Sequence, residues 1–163
     1  MRIKTVKILS NKQKEIITQL WNAEYPEQLN FSGVTGFEEF LKSVSNPTHF
    51  LLIDENESLK GWLMTFTREN ERWFSVIVDG KVKQKGFGTQ LLNELKRNET
   101  EINGWAVEHE NYLKNNGENY RSPIGFYKKN GFTILPEVRL EKQNYYCIKI
   151  KWINELYNQK SHP

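Results

Sequence analysis

Cysteine is all but missing from this chain. Cys147 stands alone among 163 residues, so no disulfide can staple the chain internally, and a single thiol in an apolar, β-branched run fits a reducing compartment. Proline is sparse, with five residues, and no low-complexity tract or internal repeat interrupts the pattern, so one domain over 1–155 with a short tail over 156–163 is expected. Long apolar runs are absent as well. Met1-Arg2-Ile3-Lys4 leads straight into an alternating pattern, and nothing later is long and apolar enough to span a bilayer, so a cytoplasmic protein with no membrane partner is expected. Charge of one sign is not concentrated: the net value is only +3, and the basic residues lack the dense stripe of a nucleic-acid binder. Neither nucleic acid nor a metal is expected here.

What is present is the material of a core. Aromatic residues make up 13% of the chain, and charges of both signs are interspersed, which places it among globular proteins and not disordered ones. One stretch carries chemistry: Val76-Ile77-Val78-Asp79-Gly80-Lys81-Val82-Lys83-Gln84-Lys85-Gly86-Phe87-Gly88-Thr89. It runs from an apolar strand through a basic, glycine-bearing turn into a helix. The first N–H groups of a helix have no intrahelical partner and carry partial positive charge, so an anion is favoured there. Two named phosphate motifs do not fit. A Walker turn needs Lys and then Ser or Thr after its last glycine, and a dinucleotide turn needs a third glycine three residues on; here Gly86-Phe87-Gly88 is followed by Thr89-Gln90-Leu91.

Around this stretch the pattern predicts a strand over Ile3 to Leu9, then a helix opened by a Ser10/Gln13 capping box and carrying Ile16, Ile17, Leu20 and Trp21. A second capping box, Thr35 with Glu38, opens a helix that Pro47 ends. Strands follow over His49 to Asp54, Gly61 to Thr67 and Arg72 to Val78. The helix after Gly88 presents Phe87, Leu91 and Leu95 on one face, with Lys96 turned outward. Ile102 to His109 is a predicted strand, Asn111 to Arg121 a polar excursion, and Ser122-Pro123 opens a short helix that Gly131 closes. Two last strands cover Phe132 to Leu140 and Tyr145 to Trp152, and the chain after Glu155 is a fraying end.

Lys83-Gln84-Lys85-Gly86-Phe87-Gly88 resembles motif A of the GNAT superfamily of acyl-CoA-dependent N-acetyltransferases, R/Q-x-x-G-x-G/A, with Lys83 in place of Arg or Gln. Lysine keeps the charge but gives up the bidentate fork. Phe126-Tyr127 with Gly131-Phe132 resembles that superfamily's motif B, and the two together cover Gly61 to Trp152. The resemblance implies an α/β (α+β) fold with a mixed sheet of about seven strands flanked by about four helices. It implies acetyl-CoA as co-substrate, with its arm against Val76, Ile77 and Val78 and its phosphates in the turn from Lys83 to Thr89. It also implies Tyr127 as general acid toward the leaving thiolate, and a strand-borne carboxylate, Glu108, as general base acting through water. Asn111 follows in the position of a cofactor contact, a place that Tyr120 or Ser122 could equally take, since the excursion is longer than usual.

The expected reaction is acetyl transfer to a primary amine. The acceptor is a small molecule or a protein, and a second copy of the chain is an open partner. Carboxylates at Glu24, Glu110 and Glu118 hint at a cationic amine, although scattered acids are usually solvated surface. The rival reading is an acyl-CoA-binding regulatory domain without turnover, against which Tyr127 argues.

Overall fold

The computed structural model describes residues 1–161, so His162 and Pro163 of the expected tail lie outside the described residues. In chain order the elements are β1 (Arg2–Val6), α1 (Asn11–Glu24), α2 (Gly33–Lys42), β2 (Ser45–Ile53), β3 (Leu59–Arg68), β4 (Glu71–Val78), α3 (Phe87–Lys96), β5 (Glu101–Ala106), α4 (Ile124–Lys129), β6 (Thr133–Glu141), β7 (Tyr146–Ile153) and α5 (Glu155–Ser161). The seven strands form one mixed sheet in the order β1-β2-β3-β4-β5-β7-β6. This is the expected architecture, with a fifth helix where a fraying end was predicted. Among the described residues no helix is long and apolar enough to cross a membrane.

Alternation along the strands sorts side chains to two layers. Leu52, Leu63, Phe74, Ile102 and Ile150 face α3 and α4, where Leu91, Leu92, Leu95 and Tyr127 complete one core. Leu51, Trp62, Met64, Trp73 and Ile77 face α1 and α2, where Ile17 and Phe37 complete the other. The Ser10/Gln13 capping box forms as predicted, with both reciprocal bonds present.

Three local expectations fail for identifiable reasons. α2 starts at Gly33, so Thr35 lies inside the helix and makes no cap. Pro47 does not end that helix, which stops at Lys42. It sits instead inside β2, where the register shifts between Ser45 and Thr48 and Asn46 takes φ 50°, and a bulge is where a strand tolerates a residue without an N–H. Lys96 is drawn inward, its ammonium on the Asn130 carbonyl at 2.5 Å and over the Phe132 and Trp152 rings. Burial lowers its pKa from the usual lysine value.

β5 ends at Ala106 and not at His109. It pairs fully with β7 but meets β4 in parallel at a single position, Trp73 with Asn103. The excursion that follows is an ordered hairpin. Tyr120 N–H donates to the Tyr112 carbonyl at 2.9 Å and Lys114 N–H to the Glu118 carbonyl at 2.8 Å, with Gly117 turning at φ 84°. It docks on the segment after α1 through Glu27 N–H to the Leu113 carbonyl at 2.9 Å.

His49 is 2% exposed in β2, and its Nδ1 accepts the Trp62 indole N–H at 3.1 Å. Burial, aided by the Lys7 charge, lowers its pKa from 6.5 to about 4. The folded state therefore binds this proton more weakly than the unfolded chain, and stability is lost as pH falls from about 6.5 toward 4. Thermal melts at pH 7 and 4.5 are expected to show a lower Tm in acid, and His49→Gln, which keeps an acceptor for Trp62, is expected to remove up to about one proton from that dependence.

Candidate active site

Past Trp73 the central strands part, and the edge of β4 that faces β5 has no strand to pair with. The pleat decides which main-chain groups point into this opening. The Arg72 carbonyl accepts the side-chain amide of buried Asn103 at 3.0 Å, so it faces β5. Four residues on, Val76 faces the same way, and its carbonyl accepts the Tyr25 hydroxyl at 2.7 Å. Ile77 faces oppositely, for its carbonyl lies 3.1 Å from where a Cβ on Gly61 of β3 would stand. Val76 and Val78 can therefore offer main chain to a ligand lying along this edge, whereas Ile77 contributes only its buried side chain.

From Val78 the chain enters one 3₁₀ turn, Gly80–Val82, opened by the Asp79 carboxylate accepting the Lys81 N–H at 2.9 Å. Gln84 and Gly86 then take left-handed backbone, φ 63° and 81°, and α3 follows directly. Among the described residues none accepts a hydrogen bond from the backbone N–H groups of Gln84, Lys85, Gly86, Phe87, Gly88 or Thr89. Six unspent donors at the positive end of a helix make a concave anion nest. The two glycines serve different ends. A Cβ on Gly86 would meet nothing within 4 Å, so its glycine answers to the positive φ. A Cβ on Gly88 would stand 3.0 Å from the Phe126 ring, so that glycine lets α3 pack against α4.

Lys83 has a partner within the chain. Its ammonium lies 2.8 Å from one oxygen of Glu24, the last residue of α1, while the other oxygen accepts the Gly80 N–H at 2.9 Å. Burial alone would raise the pKa of Glu24. The Lys83 bond and charge, the Gly80 N–H and Lys114 together outweigh it and hold the carboxyl below its ordinary value. The amides, more than the Lys83 side chain, are thus what the turn has to offer. Lys81 and Lys85 stand exposed beside it.

Tyr127 comes from α4, its ring 5.9 Å from Phe74 and 5.4 Å from Phe132. It is 5% exposed, and its hydroxyl makes no hydrogen bond with any described residue. Burial pushes the phenol well above its usual pKa, so it stays protonated. Val76 packs against the cluster that holds Tyr127 while its carbonyl is held by Tyr25, so the two tyrosines reach the β4 edge from opposite faces.

The remaining expected site residues lie further out. Glu108 stands beyond the end of β5 with its carboxylate 3.2 Å from the Arg139 guanidinium. Asn111 is exposed on the hairpin, donating its N–H to His109 Nδ1 at 3.1 Å. Ser122 ties the hairpin back to the strand end by donating to the Val107 carbonyl at 2.7 Å. Glu24 and Glu118 share Lys114, at 3.7 and 3.4 Å, and so are no free acidic lure. Tyr25 and Asn103 escaped the sequence reading as site residues because their partners are 51 and 31 positions away, and no local pattern records such a contact. Among the described residues no group of three or more His, Cys, Asp or Glu is placed to hold a metal. A cavity of about 640 Å³ opens beside α1, with Asn22, Glu24, Val34 and Lys114 in its wall, but no residue of β4, the glycine turn or α4 lines it.

A parted strand pair with an edge that no strand covers, an amide nest beyond it and a protonated phenol across from it have the chemistry to receive an extended, anion-bearing ligand. Residues 46–134 match the family described as "Acetyltransferase (GNAT) domain". The chain belongs to this GNAT acetyltransferase family and is an acyltransferase. Among solved structures it is similar to spermidine N-acetyltransferase from Vibrio cholerae in complex with CoA and spermine, at 16% identity over 96% of this chain and 98% of that one, with TM-score 0.65. It is also similar to a phosphinothricin acetyltransferase from Sinorhizobium meliloti in complex with AcCoA, at 13% identity over 94% and 89%, with TM-score 0.64. At such identities the likeness is one of fold. No curated protein matches the sequence.

The nest and the Glu24–Lys83 pair can be probed separately. By calorimetry with acetyl-CoA, Gly86→Val is expected to weaken binding about tenfold or more through lost amide geometry. Lys83→Ala is expected to cost about threefold or less, because that ammonium is already engaged at a partly exposed ion pair.

Proposed function

We propose that the protein transfers the acetyl group of acetyl-CoA to the primary amine of a small molecule or protein. The observation that carries this reading is the β4 edge that no strand covers, leading through the Gly80–Val82 turn to the amide nest. Val76 and Val78 offer N–H and C=O to the extended arm in the manner of an added strand, and the amides of Gln84 to Thr89 receive the pyrophosphate. The Val76 N–H, on the same edge as its carbonyl, is the donor placed to stabilise the oxyanion as the thioester carbonyl turns tetrahedral.

The proton balance assigns the other roles. The amine nitrogen bonds to the acyl carbon, the C–S bond breaks, and the departing thiolate takes a proton from the Tyr127 phenol. Burial keeps the phenol protonated, and its hydroxyl has no partner among the described residues; the same burial makes it a weaker acid, so it gives up its proton only as charge develops on the departing sulfur. The proton lost by the amine goes to water or to Glu108. That carboxylate can accept it only after loosening from Arg139, so an amine that arrives neutral and sheds its proton to solvent places less demand on the site. The acceptor would enter from the α1 side, past Tyr25 and the hairpin.

Acetyl-CoA consumption over a panel of amines tests the reading directly, and saturable binding without turnover of any amine would favour a regulatory acyl-CoA-binding domain. With an acceptor in hand, Tyr127→Phe is expected to lower kcat by about 10²–10⁴-fold, with acetyl-CoA affinity and Tm near wild type. Because its phenol titrates high, wild-type kcat is expected to show no fall below about pH 10 that is due to Tyr127 ionisation. A Tyr127→Phe variant as fast as wild type in the chemical step would reduce this tyrosine to packing.

A further inference from the structure

We propose that Tyr25 is a residue of the cofactor cleft: its hydroxyl holds the place on the Val76 carbonyl that an acyl-CoA must take, and its release on binding carries the cofactor's arrival to α1 and the hairpin. This rests on the reading of the β4 edge as the acyl-CoA site. The oxygen of Tyr25 lies 2.7 Å from that carbonyl, the distance at which an amide nitrogen of an extended ligand would otherwise sit. The ring spans the parted strands. It packs against the cluster that includes Trp73 and Ile77 of β4, and equally against the one that includes Val107 and Cys147 beyond it.

Tyr25 is also joined to what lies on the acceptor side. Its ring stacks on Trp21 of α1 at 4.1 Å and on Tyr120 of the hairpin at 5.9 Å. The preceding residue, Glu24, holds the Gly80 N–H and the Lys83 ammonium at the start of the glycine turn. Two adjacent residues at the end of one helix therefore grip both the strand edge and the turn. A ligand that displaces the hydroxyl moves a stack shared with Tyr120, so the acceptor wall takes its final form only after the cofactor is seated. Tyr25 is a positioning residue in this account, acting on the acceptor through Trp21 and Tyr120.

Two measurements on the full chain test this without an identified acceptor. In calorimetry, Tyr25→Phe keeps the ring but removes the competing hydroxyl, so acetyl-CoA is expected to bind about 2- to 10-fold more tightly than to wild type. In hydrogen-exchange mass spectrometry of the wild type, acetyl-CoA is expected to protect 76–89 while speeding exchange in 22–26 and 112–120. The second measurement stands even if the variant folds poorly. Binding of wild type with a variant Kd that is equal or weaker, or protection of 22–26 by the cofactor, overturns the role of Tyr25 and leaves the acyl-CoA site intact. Absence of acetyl-CoA binding by both proteins overturns the proposed site, and this inference with it.

Discussion

Everything at the site depends on one pairing, Trp73 with Asn103, after which β4 and β5 separate. A parallel pair that continued would spend the Val76 and Val78 main chain on β5 and leave no edge for a ligand. Several features hold the strands at this limit. Asn103, 1% exposed, spends its side-chain amide on the Arg72 carbonyl just where the ladder stops. Gly104 follows because the Phe74 ring lies 2.6 Å from where its Cβ would be, and β5 commits its other edge to β7 over all six of its residues. The Trp73 and Trp105 rings stack at 5.2 Å on the α1 side of the same junction. The opening is thus a product of packing on both faces and needs no strained bond to sustain it.

The ionic arrangement follows from where this opening leads. The β4 edge delivers the chain to six unspent amides, and those amides, unlike lysine side chains, are held in place by backbone geometry at Gln84 and Gly86. Of the lysines in the turn, Lys83 is matched by Glu24, which also faces Lys114, whereas Lys81 and Lys85 stand exposed without an ion pair among the described residues. Exposed pairs of this kind contribute about 0–1 kcal/mol each. The greater effect of the Glu24 pair is to tie α1 to the turn, while the fixed amides set where an anion would sit and Lys81 and Lys85 add unpaired positive charge beside them.

How much of this could be read beforehand depended on range. The glycine turn and the Tyr127 helix were legible because their signals are local: two glycines in a basic turn ahead of a helical pattern stand out, and Gly131 announces the end of the Tyr127 helix. The succession of seven strands along the chain followed from alternation and turn signals, whereas their order in the sheet did not. What escaped was tertiary. Pro47 looks like a helix stop in sequence and is a bulge in β2 because β3 accepts the shifted register. Glu108 looked strand-borne, yet β5 ends two residues earlier and Arg139 claims the carboxylate. The excursion gave only its polarity, whereas the hairpin bonds and the docking of Glu27 on Leu113 depend on residues far apart.

Titrating isotope-labelled protein with acetyl-CoA and following its backbone amides by NMR reads the β4 edge and the nest together, because the two are expected to respond as one surface. The largest shifts are expected at Val76 and Val78 and along Gln84 to Thr89, saturating with a single Kd. Shifts confined to Asn22, Val34 and Lys114 around the cavity beside α1, with the β4 edge unmoved, would contradict it.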